Sequence, residues 1–465
     1  MTGMTLEAVA ASCGGKLYAT GSADSETTAT VAGVELDSRK LQKGYLFIAT
    51  KGERVDGHTF IPQAFEKGCL GVVCEKLPEN PAGPCILVKD SFKALQDIAS
   101  YYREQLEIKV VGITGSVGKT STKEVIACTL AQKYCVLKTE GNFNNEIGLP
   151  LTILRIRDEH QVAVLEMGIN HFGEMHRLSQ IAKPDVCVIT NIGQCHLEYL
   201  KDRDGILKAK TEIFDFMNPK GIVCLNGDDD KLCTVKEVHG KRPVFFGKGE
   251  NCDIRAVEVE NYGLEGSAAF VEENNQAENN ELWQIKIHVP GEHMIVNAMA
   301  AVAVGTALGL TRNQIKEGIA RAESIGGRSH ILRDEKLTVI DDCYNANPVS
   351  MKASIELLDT ARTRKVAILG DMFELGEDEK KLHYEVGSFV AQKSIDVVIC
   401  IGALSEEIYK AVKAGGGLCC YYPEKKEMIA DISRLIIPGD TILIKASHGM
   451  GFSELVTLCS SHTWL

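Results

Sequence analysis

The sequence predicts an α/β protein built as three domains, and three observations carry that expectation. The chain has 465 residues, whereas single hydrophobic cores stop growing beyond about 250–300 residues. From Ile108 onward, apolar runs of strand length alternate with stretches of helix length, the pattern of a mostly parallel sheet. A second alternating series begins after Gly326-Gly-Arg328. Hydrophobic residues make up 45% and charged residues 25%, the balance of ordinary globular domains that each bury a core.

Residues 1–105 mix short apolar runs (Tyr45-Leu-Phe-Ile-Ala49, Gly71-Val-Val-Cys74) with the turn-rich joint Pro78-Glu-Asn-Pro-Ala-Gly-Pro84, as in a small α/β domain. In residues 106–326, Lys109–Thr114 reads as a buried strand and Lys119 to Gln132 as the helix after it. Further strands are expected at Val162–Leu165, Asp185–Ile189 and Gly221–Leu225, and a helix over Gly205–Phe216. The stretch Asn251–Ile287 is polar, with Glu272–Glu281 as an exposed turn between strands. Residues 327–465 carry strands near Leu337–Asp341, Lys365–Leu369, Asp396–Ile401 and Thr441–Ile444. This third part reads as Rossmann-like, but it lacks the G-x-G-x-x-G fingerprint, which argues against a bound dinucleotide.

The net charge of −12 excludes a nucleic-acid polyanion as main partner, because that binding needs clustered Lys and Arg. The N-terminus Met1-Thr-Gly-Met-Thr-Leu-Glu7 lacks a basic region followed by an apolar one, and no run approaches the roughly 20 apolar residues that span a bilayer. The expectation is a cytoplasmic protein with no stable membrane insertion. Sixteen cysteines are scattered through apparent core segments such as Val186-Cys187-Val188, without a C-x-x-C pair, and read as reduced, mostly buried thiols.

The strongest single motif is Gly112-Ile-Thr-Gly-Ser-Val-Gly-Lys-Thr120, between a strand and a helix. Glycines let backbone N–H groups turn inward around phosphate oxygens, and the helix N-terminus adds its positive dipole end. Gly115, Ser116, Gly118, Lys119, Thr120 and Ser121 are therefore candidate nucleotide contacts, with Lys119 reaching the β- and γ-phosphates and Thr120 a magnesium ion. Ile113 stands where the Walker pattern has its first glycine, so a glycine-rich packing turn is the competing reading. Glu166 ends the Val162–Leu165 strand and His196 follows the Asp185–Ile189 strand, positions where metal or phosphate ligands converge in parallel sheets.

Together these residues resemble the Mur ligases, and within them the branch that adds D-alanyl-D-alanine. In the central part the resemblance rests on Thr114-Gly-Ser-Val-Gly-Lys-Thr120, Asn142-Phe-Asn-Asn-Glu-Ile-Gly-Leu-Pro150, Glu166-Met-Gly168, Thr190-Asn-Ile-Gly193 with His196, Ala209-Lys-Thr-Glu-Ile213, and His293 with Asn297. The altered first glycine of the loop is the family's own pattern. Asp37-Ser-Arg39 and Gly52–His58 resemble the family's uridine-nucleotide part; Gly327-Arg328, Asp341–Pro348 and Leu369–Gly376 resemble its nucleotide-closing and acceptor motifs. Lys445-Ala-Ser-His-Gly-Met450 departs from the usual Lys-Gly-Ser-Arg-Gly-Met, with Ala446 and His448 in place of Gly and Arg.

The resemblance implies an ATP- and magnesium-dependent ligase that joins D-alanyl-D-alanine to UDP-N-acetylmuramoyl-tripeptide through an acyl phosphate; a monomer is expected. It implies that Lys119 neutralises the transferring phosphoryl group, that Thr120 and Glu166 hold one magnesium ion, and that His196 and a carbamylated Lys210 support a second. Asn297 resembles an adenine contact, Asp342 a ribose contact, and Arg328 a phosphate contact made when the domains close. Ser38, Arg39, Asn142, Asn144 and Asn145 resemble contacts to the nucleotide-linked peptide; Tyr344, Asn345 and Asn347 resemble contacts to the acceptor.

Two other readings compete. The diamino-acid-adding branch carries Asp-Asn-Pro-Arg at its acceptor motif, whereas here Asn347-Pro348 is followed by Val349-Ser350. A P-loop switch that forms no bond fits less well, because glutamate- and histidine-bearing strand ends accompany a specific acceptor part.

Overall fold

The computed structural model describes residues 3–19, 29–53, 55–195, 197–274 and 281–462. Among them the chain forms three sheets, each built around the strands that the apolar runs predict. The first is ordered Lys16–Tyr18, Cys85–Leu87, Gly71–Cys74, Tyr45–Ile48, Gly33–Glu35, parallel except for its Lys16–Tyr18 edge. The third is ordered His330–Arg333, Thr338–Asp341, Thr441–Lys445, Lys365–Gly370, Val397–Ile401, Cys419–Tyr422, antiparallel only at its His330 edge.

The central sheet positions the site. Its order is Trp283–Ile287, Ser267–Glu273, Ile254–Asn261, Val244–Gly247, Ile222–Asn226, Val186–Ile189, Lys109–Thr114, Val162–Glu166, Val136–Lys138. The strands from Val136 to Ile254 run parallel, and the polar stretch adds an antiparallel extension. Of the exposed turn expected there, residues 275–280 lie outside the described residues. The Val162 strand runs one residue longer than expected and includes Glu166, because register sets Glu166 beside Ile113 and its N–H donates to Thr139 Oγ1 at 2.9 Å. The expected Gly205–Phe216 helix is instead Arg203–Thr211 followed by a 3₁₀ turn, Glu212–Phe214. It starts earlier because the Asp202 side chain caps it, accepting from the Gly205 N–H at 2.8 Å.

Packing ties the first part to the second. Helix Ser91–Glu104 carries buried Leu95, Ile98 and Tyr102 into one apolar core that continues through Ile153, Leu165 and Leu178 of the central part. Tyr102 donates its hydroxyl to Ile156 O at 2.7 Å, and Arg103 Nε donates to Ala182 O at 2.9 Å. On the other face of the central sheet, helix Lys119–Leu130 packs with the long apolar helix His293–Ala307. The third sheet has a core on each face. All sixteen cysteines are free, and no helix among the described residues is long and apolar enough to cross a membrane.

The central hairpin also reaches the third part. At its tip, Gly263–Glu265, Leu264 packs against the third-part core of Ile340, Leu358 and Leu443, and Glu265 pairs with Arg333 at 2.8 Å. A Cβ on Gly263 would stand 2.9 Å from Thr360 Oγ1, so the tip is closely seated. Leu264→Ser removes this apolar contact, worth about 1–2 kcal/mol for a partly buried leucine. Limited proteolysis is expected to cut the Ala322–Arg328 connection several-fold faster in that variant, with nucleotide-free thermal melting broadened by earlier loss of the third part.

Candidate active site

The Lys109 strand ends in Thr114, and the chain then turns through Gly115 (φ +151°) and Gly118 (φ +82°) into helix Lys119–Leu130. These are backbone shapes that side chains resist. A Cβ on Gly115 would lie 1.9 Å from Thr190 Oγ1. The contact exists because parallel register sets Thr114 beside Ile189. The loop after Ile189 then braces the turn: Ser116 N–H donates to Asn191 O at 3.0 Å and Val117 N–H to Asn191 Oδ1 at 2.9 Å. Thr190 Oγ1 and Asn191 Nδ2 both donate to Val117 O, at 2.6 and 3.0 Å, and Gly193 N–H donates to Ser116 Oγ at 2.9 Å. Lys119 Nζ lies back over its own loop, donating to Gly115 O at 2.9 Å.

Next to the loop stands Glu166, 2% exposed. Its Oε1 accepts from Asn144 Nδ2 at 2.8 Å, while Oε2 is buried without a hydrogen bond and 3.9 Å from the ammonium of buried Lys123. Lys123 donates to Thr139 O at 2.6 Å. One turn into the helix, Thr122 Oγ1 donates to Asn297 Oδ1 at 2.9 Å, so Asn297 sits against the loop's helix and faces the cleft.

Across the cleft lies the third part. Parallel register places Asp341 beside Ile444, so the next residues, Asp342 and Lys445, meet at the sheet edge. Lys445 Nζ, 2% exposed, donates to Asp342 Oδ2 at 2.6 Å and to Asn345 O at 3.0 Å. Ser354 donates to the same carboxylate, and Ser329 N–H donates to Asp342 Oδ1 at 3.0 Å. The Arg328 guanidinium stands 4.2 Å from the centre of the Tyr344 ring, a cation–π contact, and the His448 ring lies 5.5 Å from that centre.

The structure thus gathers most of the predicted residues into one cleft of about 400 Å³, walled by Ser116, Gly118, Lys119, Thr120, Ser121, Asn144, Glu166, Asn297, Arg328, Asp342, Tyr344, Asn345 and Asn347. A second cleft, of about 490 Å³, opens from Lys119 and Asn144 past Asn145 and Ile147 to helix Ser91–Glu104. Asn142 is exposed nearby, and Asn145 Oδ1 accepts from the Gly148 N–H at 2.8 Å. Ser38 and Arg39 line neither cleft: Ser38 Oγ donates to Gln63 at 3.2 Å, and the exposed Arg39 holds the Asp37 carboxyl down at about 2. His196 lies outside the described residues. Lys210 is 1% exposed and lines neither cleft. Burial pushes its ammonium down to about 8, with Cys195 opposing the shift and Lys119 adding to it.

Family models match the described segments in order: "Mur ligase family, catalytic domain" over residues 30–103, "Mur ligase middle domain" over 113–305, and "Mur ligase, glutamate ligase domain" over 327–448. The Bacillus subtilis UDP-N-acetylmuramoyl-tripeptide--D-alanyl-D-alanine ligase is 38% identical over 445 residues, 92% of each chain. The chain belongs to the Mur ligase family. The Escherichia coli ligase of the same name is 34% identical, over 92% of this chain and 93% of its own. Among solved structures, MurF from Acinetobacter baumannii superposes with a TM-score of 0.88 at 29% identity, covering 98% of both chains. MurF from Thermotoga maritima, solved with ADP, gives 0.81 at 30% identity over 93% of this chain and 97% of its own.

In this Mur ligase the donor set fits a nucleotide with its metal. The Gly115 and Gly118 turns leave room that a Cβ would fill or strain, and the free Oε2 of Glu166 is a buried anion without a hydrogen-bond donor. No group of three or more His, Cys, Asp or Glu residues is poised for a metal among the described residues. That pattern suits magnesium, which takes one or two carboxylates plus phosphates and waters rather than an all-protein cage.

Sequence reasoning missed Lys123 and the role of Lys445. Lys123 carried one legible signal: it lies four residues after Lys119, hence on the same helix face. Lys445 opens a recognised motif, but its pairing was not legible, since its partner Asp342 is 103 residues away and meets it only through strand register.

Gly115→Ala is expected to weaken ADP binding tenfold or more in titration calorimetry, since overpacking costs about 1–3 kcal/mol. Gly240→Ala, also at positive φ but with open space around it, should leave that affinity unchanged within about twofold.

Proposed function

We propose that this Mur ligase joins D-alanyl-D-alanine to UDP-N-acetylmuramoyl-tripeptide, using ATP and magnesium, in the making of peptidoglycan precursors in the cytoplasm. The observation that carries the reading is the continuous match to ligases of that name over more than nine-tenths of both chains, in an enzyme whose cleft assembles a phosphate loop and a buried carboxylate. Residues 1–105 hold the uridine nucleotide through Ser38 and Arg39, residues 106–326 bind ATP, and residues 327–465 bind the acceptor. The enzyme works as a monomer.

A carboxylate resists attack by an amine because it is an anion with a poor leaving group. The tripeptide's terminal carboxylate therefore takes the γ-phosphoryl group, with ADP leaving. The D-alanyl-D-alanine amine then attacks the carbonyl carbon, phosphate departs with the C–O bond electrons, and loss of a proton leaves an amide. Magnesium supplies neutralisation of the phosphate charge when bound. Thr120 and Glu166 would hold it, and His196 and a carbamylated Lys210 would support a second ion. Lys119 swings from Gly115 O onto the transferring group, a preorganised charge contact that strengthens as charge moves. Asn297 meets the adenine, Asp342 the ribose and Arg328 the phosphates. Asn142 and Asn145 flank the peptide; Tyr344, Asn345 and Asn347 face the acceptor. Closure of the third part excludes water from the acyl phosphate.

The lowered Lys210 supports carbamylation, because below about 8 the amine is protonated and inert, while above it the neutral amine attacks carbon dioxide and loses a proton. Lys210→Ala is expected to lose activity and to regain part of it with millimolar acetate or propionate, followed as ADP release. Failure of recovery in a folded variant would remove the carbamate from the mechanism.

For the acceptor, ADP release is expected to require both UDP-muramoyl tripeptide and D-alanyl-D-alanine, with the amide identified by mass. Lysine or diaminopimelate offered with UDP-muramoyl dipeptide should react about tenfold to hundredfold less well. The residue after Pro348 is Val349, so a diamino acid's carboxylate loses a bidentate contact worth roughly 1.5–3 kcal/mol. Efficient diamino-acid addition without reaction of the tripeptide would reassign the substrate.

A further inference from the structure

Asn144 resembles a substrate contact in sequence, yet its side chain faces another group. A carboxylate only accepts hydrogen bonds, so the NH₂ end of the amide is the end that meets Glu166 Oε1, at 2.8 Å. The backbone locks the same arrangement, since Gly168 N–H donates to Asn144 O at 2.8 Å. A Cβ on Gly168 would stand 3.0 Å from Asn144 Cγ, so the glycine in Glu166-Met-Gly168 is what lets the amide lie there. On the other side Thr139 receives the Glu166 N–H, and Lys123 holds Thr139 O while standing 3.9 Å from Glu166 Oε2. One oxygen of the carboxylate is thus pinned and the other, Oε2, is buried without a hydrogen bond, on a residue that lines the same cleft as Thr120.

We propose that Asn144 is a positioning residue for the metal: it orients Glu166 so that Oε2 alone is presented to a divalent cation, and it does not bind the muramoyl peptide. This rests on the reading of Glu166 as a magnesium ligand. Partners that orient a metal's ligands typically matter by about 10–100-fold in metal affinity when removed. A peptide-binding amide would instead show its loss in the Michaelis constant of the peptide substrate.

The test uses Asn144→Leu, with Asn144→Ala as a second variant in case the larger side chain disturbs folding, and Glu166→Gln alongside. Mn²⁺ binding in the presence of ADP is followed by electron paramagnetic resonance, and steady-state kinetics give the magnesium requirement and the KM for UDP-muramoyl tripeptide. The expected result is a Mn²⁺ dissociation constant and a half-saturating magnesium concentration raised about 10–100-fold in each Asn144 variant. The tripeptide KM should move less than about threefold, as for a residue that acts on the metal alone. A raised tripeptide KM with Mn²⁺ binding unchanged would overturn the proposal and return Asn144 to the substrate. If Glu166→Gln leaves Mn²⁺ binding intact, the failure lies one step earlier, in the assignment of Glu166 itself.

Discussion

The register of three adjacent parallel strands is the constraint on which the rest of the site depends. Val162–Glu166, Lys109–Thr114 and Val186–Ile189 end together, so Glu166, the phosphate loop and Thr190 emerge side by side. The loop could not hold its shape alone: Gly115 and Gly118 adopt conformations that lose much backbone entropy on ordering. Thr190 and Asn191 supply the compensating hydrogen bonds from the neighbouring strand end. Asn226 Nδ2 on the next strand in turn donates to Thr190 O at 2.8 Å, and Asp229 Oδ2 accepts from Ile192 N–H at 2.8 Å. A slip of one residue in any of these pairings would send each side chain to the opposite face.

Charge follows from the same geometry. Lys119 lines the cleft, buried Lys123 stands beside Glu166 and Glu124, and buried Lys210 lies near enough to Lys119 to feel its charge. Lys123 Nζ stands 3.9 Å from Glu166 Oε2 and 3.1 Å from Glu124 Oε1, and it lines neither cleft. In the third part, the buried pair of Asp342 and Lys445 has every partner it needs, which is the condition under which such a pair is tolerated. Its cost is set against rigidity at the sheet edge that carries Arg328 and Tyr344.

Much of this was legible in the sequence, for physical reasons that differ between residues. The glycine-rich turn before Lys119 announces itself because local conformation demands those residue types, and the strand ends bearing Glu166 and Thr190 follow from apolar runs of fixed length. What stayed hidden depends on distant pairing. Lys123 shares a helix face with Lys119, but that spacing does not tell a buried lysine from a solvated one, and it is 1% exposed. The polar stretch was legible as strands about an exposed turn, but its joining the central sheet as three strands, of which Trp283–Ile287 alternates buried and exposed residues, was not. The shared core of the first and central parts was also not visible, since helix Ser91–Glu104 shows an ordinary amphipathic pattern that does not reveal how many partners it has.

The acceptor motifs carry a further lesson about polar residues in long recognisable stretches. Asn347 caps helix Pro348–Asp359, accepting from Ser350 N–H at 2.9 Å, and Asp371 caps the segment at Ser405 by accepting from two N–H groups. Asp341 accepts from Gly327 N–H at 2.7 Å and so holds the connection between the central and third parts. Most acidic and amide groups of these motifs therefore hold backbone rather than wait for a ligand. Outward beside the exposed Asn345 and Glu374 stand apolar and aromatic groups: Val349 at 50% exposure, Phe373 at 43%, and the Tyr344 face beside His448. A small dipeptide with two methyl side chains matches such a surface, whereas a diamino acid would bring a second charged end to walls that offer it no buried counter-ion. On the proposed reading, selectivity at the acceptor thus arises as much from what Val349 fails to supply as from any contact the dipeptide makes.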